Sequence, residues 1–202
     1  MTPPRTFERV YDTIKQRLRE GIYRPGQRLE PAVLSIELNA SVTPVRDALH
    51  RLTGERMVEA PRQEGFRVPM LNESVLRQLY AWHLDLLLLA LMRRPPADLA
   101  AFGRMERGPD LPATDLRAAL FRAVAISAGN AEHVAALDGL NERLGPVQRL
   151  EEQILEGTRA ETADILQAID ANDRQALRRS LIRYHRRRER IVPELLAQLL
   201  QI

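Results

Sequence analysis

The sequence predicts a mainly α-helical protein: an N-terminal winged helix-turn-helix with a small β-hairpin wing, followed by an all-α helical bundle. Three observations predict this fold class. Aromatic residues make up only 4% of the chain, so leucine and alanine must supply most of the core, which favours helices over sheets. Two short helical patterns joined by a tight turn occupy residues 31–52, and two strand-like segments follow at 57–60 and 65–69. Every later apolar pattern has a helical period.

The first predicted helix covers residues 6–21. Val10, Ile14 and Leu18 recur at helical spacing and form one apolar face, while charged residues lie on the other. Gly21 can end this helix, and the Pro-Gly pair at 25–26 forms a turn. Residues 28–29 then lead into the helix-turn-helix.

The helix-turn-helix is predicted from its apolar spacing and its turn residues. The second helix carries apolar residues at the i, i+3, i+4 and i+7 positions, namely Val45, Ala48, Leu49 and Leu52. Asn39 tolerates the left-handed conformation that ends the first helix. Thr43 can cap the second helix, and Pro44 then occupies the first helical position, where a missing N–H is harmless.

The polar start of this second helix is the candidate DNA contact. In a helix-turn-helix, the second helix enters the major groove with its N-terminal residues at the base edges. The polar residues at this end are Ser41, Thr43 and Arg46. The two strand-like segments form a hairpin whose tip can meet a phosphate backbone or a minor groove, and which carries Arg62, Gln63 and Arg67.

The charge composition permits a nucleic-acid partner without requiring one. The formal net charge is +3, and Lys15 is the only lysine among 30 basic residues. Arginine offers bidentate hydrogen bonds to phosphate and guanine, but a codon bias towards arginine is the favoured account of the excess. The chain has no cysteine, so a disulfide framework and a cysteine zinc site are excluded.

Residues 9–69 resemble the winged-helix domain of the GntR family of bacterial transcription regulators. The resemblance rests on PGQRL at 25–29, SVTPVRDAL at 41–49, and the wing glycine at 65 followed by a valine at 68. It implies that Arg46 and Thr43 contact DNA and that Gly65 lets the wing backbone approach the groove. The predicted DNA-binding residues are Arg28, Ser41, Thr43, Pro44, Arg46, Arg62, Gln63, Gly65 and Arg67.

Two positions depart from the family pattern. Val42 stands where members often carry an arginine that contacts bases. A valine can contact a thymine methyl group but cannot hydrogen-bond guanine, so the usual operator core is in doubt. Asn39 replaces the usual turn glycine.

A boundary is predicted at residues 71–72, giving a DNA-binding domain over 1–71 and an all-helical domain over 72–202. The longest apolar run, 84–92, contains Asp85 and is too short to span a bilayer. Pro193 is a candidate break in the last helix. The helices predicted after the boundary cover residues 74–94, 96–105, 113–128, 131–144, 146–156, 158–171 and 173–202.

This second part resembles the FCD-type (FadR-like) effector domain of GntR regulators, through LYAWHLDL at 79–86, FRAVAISAGN at 121–130 and ILQAIDANDRQAL at 165–177. Many such domains hold a divalent metal with one aspartate and three histidines. The corresponding positions here are Ala118, Arg122, Thr162 and Tyr184, with His185 one residue late. The resemblance therefore predicts no metal and no cofactor.

A pocket for an acidic effector is predicted from His83, Arg122, Tyr184 and His185. Arg122 could bind the effector directly, in place of the metal; alternatively it pairs with a carboxylate or reaches solvent. For His83 a packed or surface position is favoured over the pocket, and His133 is expected to be exposed. The arginines around Tyr184 are typical of a solvated helix face, with an anion or nucleic-acid site as the alternative.

The leading hypothesis is a cytoplasmic transcription repressor that binds a palindromic double-stranded operator as a homodimer and responds to a small acidic effector. No signal peptide is visible, because residues 1–9 are polar and carry two prolines. The alternative is a helical protein-interaction module with a non-specific nucleic-acid-binding head, which Val42 favours. An enzyme is disfavoured, because no nucleophilic triad and no phosphate-binding glycine loop is visible.

Overall fold

The structure is a computed structural model that describes residues 4–62, 64–92, 99–106 and 113–201. A helix-turn-helix with a small antiparallel sheet precedes a bundle of helices, so the mainly helical fold class is confirmed. The elements are α1 (Pro4–Arg19), β1 (Arg28–Leu29), α2 (Pro31–Glu37), α3 (Val42–Gly54), β2 (Phe66–Arg67), α4 (Glu73–Met92), α5 (Leu99–Glu106), α6 (Ala113–Ile126), α7 (Ala131–Ile154), α8 (Thr158–Asp170), α9 (Arg174–Arg190) and α10 (Val192–Gln201).

Residues 4–68, called here the N-terminal part, enclose a core of their own. The predicted apolar faces of α1 and α3 meet in it, and Val10, Ile14, Leu49 and Leu52 are fully buried. Burying one such side chain contributes about 1.5–3 kcal/mol relative to leaving it exposed. This core fixes α3 against α1 and leaves the opposite face of α3 on the surface.

The turn between α2 and α3 follows the prediction, except at the cap. Asn39 takes the left-handed conformation, with φ 47°. The N-cap is Ser41, so α3 begins at Val42 and the predicted cap at Thr43 is wrong. Pro44 therefore lies at the third helical position, where it is still tolerated because the first N–H groups of a helix have no intrahelical acceptor.

The wing is a two-stranded sheet with one additional bridge rather than a simple hairpin. β1 pairs with β2 in antiparallel register, with Arg28 opposite Arg67, and Glu59 forms a bridge to Arg67 from the other side. The predicted hairpin between the two strand-like segments is thus present as a single bridge. The sequence does not signal β1, because a two-residue strand has no periodicity to read.

The helical part, from Glu73 to Gln201, builds the second core around α4. Leu76, Tyr80, Leu87 and Ala90 of α4 are buried in it. By length and composition α4 is apolar enough to cross a membrane. In this fold α4 packs as a central helix against α6, α7 and α9.

Two predicted helices, 131–144 and 146–156, are one continuous helix, α7, which passes through Pro146. The predicted break is wrong because packing along α7 outweighs the hydrogen bond that a proline cannot donate. A side chain at Gly145 would place its Cβ 3.0 Å from the carbonyl oxygen of Arg19 in α1. The predicted break near Pro193 is confirmed, since α9 ends at Arg190 and α10 begins at Val192.

Candidate nucleic-acid interface

The start of α3 presents polar groups on one face and buries its other face. Ser41, Thr43 and Arg46 are exposed, together with Val42, which is 37% exposed. Pro44 is buried against the N-terminal core, so its side chain is withdrawn from the surface and its place among the predicted DNA contacts is corrected.

Arg46 is the cation at this end of α3. It makes no ion pair and no side-chain hydrogen bond within the part of the chain that the structure describes. Its guanidinium is therefore free to form the paired hydrogen bonds that arginine makes to the O6 and N7 atoms of guanine.

The wing places its arginines in two different states. Arg67 is held by two carboxylates of the wing: its Nε lies 3.0 Å from Oε2 of Glu59 and its Nη1 lies 3.2 Å from Oε2 of Glu64. Arg28 donates from Nη2 to the carbonyl oxygen of Glu64 at 3.1 Å. Both arginines hold the wing together, but only Arg67 has its charge offset by carboxylates.

Arg62 differs, since it is exposed and makes no ion pair among the described residues. Gly65 has φ 76°, a backbone conformation that glycine adopts without steric penalty. Gln63 lies outside the described residues. Within the described part of the wing, Arg62 is therefore an exposed cation with no carboxylate beside it, as the predicted phosphate contact requires.

The far end of α3 is fastened to α1 by a polar cluster. Tyr11 donates its hydroxyl hydrogen to Oε1 of Glu55 at 2.6 Å, and Lys15 lies 2.9 Å from Oε2 of the same carboxylate. Burial raises the pKa of Glu55, but the hydrogen bonds from Tyr11 and Lys15 outweigh it and lower the pKa overall. The guanidinium of Arg51 lies 4.0 Å from the centre of the Tyr11 ring, a cation–π contact. α3 is thus held rigidly behind its exposed start.

The same α1 helix joins the N-terminal part to the helical part. Nε of Arg19 lies 3.0 Å from Oε2 of Glu142 on α7, and its Nη2 lies 3.3 Å from Oδ1 of Asp115 on α6. Burial raises the pKa of Glu142, and the charges of Arg19 and Lys15 oppose that shift. These contacts place α1 between the candidate DNA surface and the helical bundle.

Inside the helical bundle, Glu151 is a buried carboxylate that collects three donors. The hydroxyl groups of Tyr80 and Tyr184 donate to it at 2.6 and 3.3 Å, and Nε of Arg188 donates at 2.9 Å. Arg188 also reaches Glu161, and its guanidinium lies 3.4 Å from the centre of the Tyr184 ring. Burial, followed by the charge of Glu151, raises the pKa of Tyr80. The cluster is buried, and Nη2 of Arg188 has no hydrogen-bond partner among the described residues.

The predicted effector residues are only partly brought together. His83, Tyr184 and His185 meet in the interior, where all three are buried and pack on Phe121. Arg122 is 40% exposed and pairs with Glu106 and Asp138. Arg122 thus takes the second of its two predicted roles, pairing with carboxylates, and it does not share the buried position of the other three.

Three other polar residues are also buried, and for two of them, His133 and Arg188, this contradicts the prediction. His133 is buried and its Nε2 lies 2.7 Å from the carbonyl oxygen of Leu86. Arg188 is fully buried within a run of arginines expected to be solvated, and Arg117 is 1% exposed. No pattern in the sequence marks these residues, because a charged residue inside a helical repeat gives no indication of its distant partner.

The residues at the family's metal positions do not fit a metal. Ala118 has no donor atom, Oγ1 of Thr162 donates to the carbonyl oxygen of Thr158 at 3.0 Å, and Tyr184 is bonded to Glu151. Across the described ranges, no group of three or more histidine, cysteine or acidic side chains could hold a metal ion.

Comparisons with known proteins place the N-terminal part in a family. Residues 6–68 match the model of the gntR family of bacterial regulatory proteins. The chain is 38% identical over 58 residues to the Nta operon transcriptional regulator of Aminobacter aminovorans, a match that covers 29% of this chain and 28% of that protein. It is 33% identical over 95 residues to the transcriptional regulator McbR of Escherichia coli, covering 45% and 43% respectively. The chain thus spans less than half the length of these curated relatives.

Solved structures match over nearly the whole chain, but at low identity. The structure of E. coli McbR/YncC has a TM-score of 0.68 at 21% identity and covers 94% of this chain and 97% of that one. A protein described as a GntR transcriptional regulator, from Rhodococcus sp. RHA1, has a TM-score of 0.72 at 16% identity and covers 93% and 97%. These likenesses show the fold. Residues 6–68 are therefore a helix-turn-helix domain of the GntR family of bacterial regulatory proteins.

Proposed function

We propose that this chain is a sequence-specific DNA-binding transcription regulator, with a DNA-binding domain over residues 1–71 and an effector and dimerisation domain over 72–202. The observation that carries the proposal is the start of α3. Arg46 stands there unpaired among the described residues, beside exposed Ser41 and Thr43, with the wing next to it. This is the surface that enters a major groove in helix-turn-helix proteins.

The proposal includes a homodimer on a palindromic operator. A single α3 reads only a few base pairs, whereas two copies related by a two-fold axis read two half-sites and double the phosphate contacts. The partner contact is assigned to the helical part, whose exposed apolar residues include Trp82, Leu89 and Met92 on α4. The location is cytoplasmic, as a soluble DNA-binding regulator requires.

A small acidic effector and repression complete the proposal. An effector shifts operator affinity only if it binds two arrangements of the protein with different affinity. α1 supplies the link, because it packs on α3 and also contacts α7. The interior cluster of His83, Tyr184 and His185 is already packed and bonded, so it supports a structural role more than a ligand pocket.

The experiment is a selection of genomic DNA fragments by the purified full chain. We expect enrichment of a short palindrome, and a loss of that enrichment in Arg46→Ala with the fold intact. Arg178→Ala is the matched control, because Arg178 is an exposed arginine on α9, far along the chain from α3. Palindrome enrichment that survives Arg46→Ala would contradict the assignment.

The second candidate is a helical interaction module with a non-specific nucleic-acid-binding head. The observation that favours it is Val42, an apolar residue at the first position of α3. The same selection separates the two functions, because a non-specific head would enrich fragments that share no sequence. Its affinity for all of these fragments would fall by the same factor as the salt concentration is raised.

A further inference from the structure

A cavity of about 590 Å³ opens between the N-terminal part and the helical part. Its volume falls in the range of roughly 300–1,000 Å³ that is typical of small-molecule sites. The walls are mainly apolar: Leu18, Met57 and Val58 contribute from one side, and Val75, Leu79 and Leu199 from the other. The cavity is separate from the interior cluster around His83.

Two arginines line this cavity without a carboxylate partner. Arg56 follows α3 and Arg143 lies on α7. Neither makes an ion pair or a side-chain hydrogen bond within the described ranges. The acidic residues at the cavity are engaged elsewhere, since Glu59 pairs with Arg67 and Glu142 pairs with Arg19.

The two arginines lie close enough for their charges to interact. Burial, and then the nearby charge of Arg56, lowers the pKa of Arg143. An anion between the two guanidinium groups would relieve their repulsion and form charge-assisted hydrogen bonds with both.

We propose that this cavity is the effector site and that it binds an organic anion with an apolar body, a carboxylic acid whose head bridges Arg56 and Arg143. The apolar body would lie against the methionine, valine and leucine side chains of the walls. The proposal that the acid binds depends only on this cavity, whereas the proposal that the acid changes DNA binding rests on the proposed function.

The position of the cavity gives the anion a way to act on the DNA surface. Arg56 lies two residues beyond the end of α3, and Arg143 lies on the helix that contacts α1. An anion held by both would draw the two parts into one arrangement. The operator affinity of the complex would then differ from that of the free protein.

The test uses 4-phenylbutyrate and its uncharged analogue 4-phenylbutanol as probes, titrated calorimetrically into the full chain without DNA. We expect the acid to bind and the alcohol to bind at least about tenfold more weakly, because it lacks the charge-assisted hydrogen bonds. Arg56→Gln and Arg143→Gln should each weaken binding of the acid by about tenfold or more. Arg178→Gln, on exposed α9, should leave it unchanged.

A second variant tests the cavity without removing an arginine, in case the arginine variants fail to fold. Ala60 is exposed and lines the cavity, so Ala60→Trp should fill the space and weaken binding of the acid while thermal unfolding remains cooperative. The proposal is overturned if the acid does not bind at millimolar concentration, binds no better than the alcohol, or binds the folded arginine variants with wild-type affinity. Failure to select any palindrome would instead contradict the proposed function and leave the binding result intact.

Discussion

The Nδ1 atom of His83 lies 2.8 Å from the Nε2 atom of His185, in the buried centre of the helical part. His185 Nδ1 in turn lies 2.8 Å from the carbonyl oxygen of Leu181, and His83 Nε2 lies 2.9 Å from the side-chain amide of Asn141. Two neutral rings supply only two N–H donors for these three contacts. With both rings neutral, Asn141 must therefore turn its amide nitrogen, not its oxygen, towards His83.

The histidine pair predicts loss of stability in mild acid. Burial lowers the pKa of His83 to about 4, and burial followed by the charge of His83 lowers the pKa of His185 well below its usual value. The unfolded chain therefore binds more protons than the folded chain as pH falls from about 6.5 towards 4. The stability that the neutral histidine pair contributes is fully present above about pH 6.5 and is lost as the pH falls from about 6.5 towards 4.

The measurement is the free energy of unfolding by denaturant at several pH values. We expect His83→Gln to flatten the slope against pH between about 4.5 and 6.5, whatever its effect on absolute stability. His50→Gln, at an exposed position on α3, is the control. An unchanged slope in the His83 variant would show that the acid sensitivity arises elsewhere.

Val42→Arg should change the sequence that α3 selects. Val42 is exposed at the first position of α3, and an arginine there can hydrogen-bond a guanine, which a valine cannot. We expect enrichment of guanine at one position in each half-site, with a preference of about tenfold, since a good bidentate pair discriminates by ~1–3 kcal/mol. Val42→Gln, which lacks the guanidinium, is the comparison, and identical selected sequences from the two variants would rule the guanine contact out.

Arg62→Ala should weaken DNA binding equally for all sequences. Arg62 is unpaired within the described part of the wing, so its charge can release a counterion from the backbone, and its loss should reduce the salt slope by about one. Arg67→Ala should have a smaller effect on that slope, because Arg67 is paired with Glu59 and Glu64. Binding curves at several salt concentrations give both values, and a larger slope change for Arg67 would reverse the assignment.

Glu151→Gln should strongly destabilise the helical part. It leaves Arg188 buried with a neutral partner in place of the carboxylate 2.9 Å away, and breaking a buried pair costs about 3–5 kcal/mol. Since Glu161 also contacts Arg188, we expect the lower end of that range. Glu156→Gln, on an exposed side chain, serves as the control in thermal unfolding. Similar midpoints for the two variants would show that Glu161 alone stabilises Arg188.

Local signals predicted the N-terminal part well. The apolar spacing of α3 and the left-handed turn at Asn39 depend on neighbouring residues, and both were predicted correctly apart from the position of the cap. β1 escaped prediction because its pairing with Phe66 joins residues far apart in the sequence.

The interior of the helical part depends on partners that a sequence does not reveal. Arg188 and Arg183 look alike in their run of arginines, yet Arg188 is buried on Glu151 while Arg183 is exposed beside Asp164. The rotation of α9 about its own axis, relative to α7 and α8, determines which of these arginines is buried. Likewise, Pro146 lies within a helix because the surroundings of α7 compensate for the missing donor.

The glycine at 145 brings the α1 and α7 backbones together without an intervening side chain, since even a methyl group there would lie 3.0 Å from the carbonyl oxygen of Arg19. At this contact no side chains lie between the two helices, so none can adjust when one helix moves. A tilt of α7 would therefore move α1 with it, and this would reposition the candidate DNA surface without any change inside that surface.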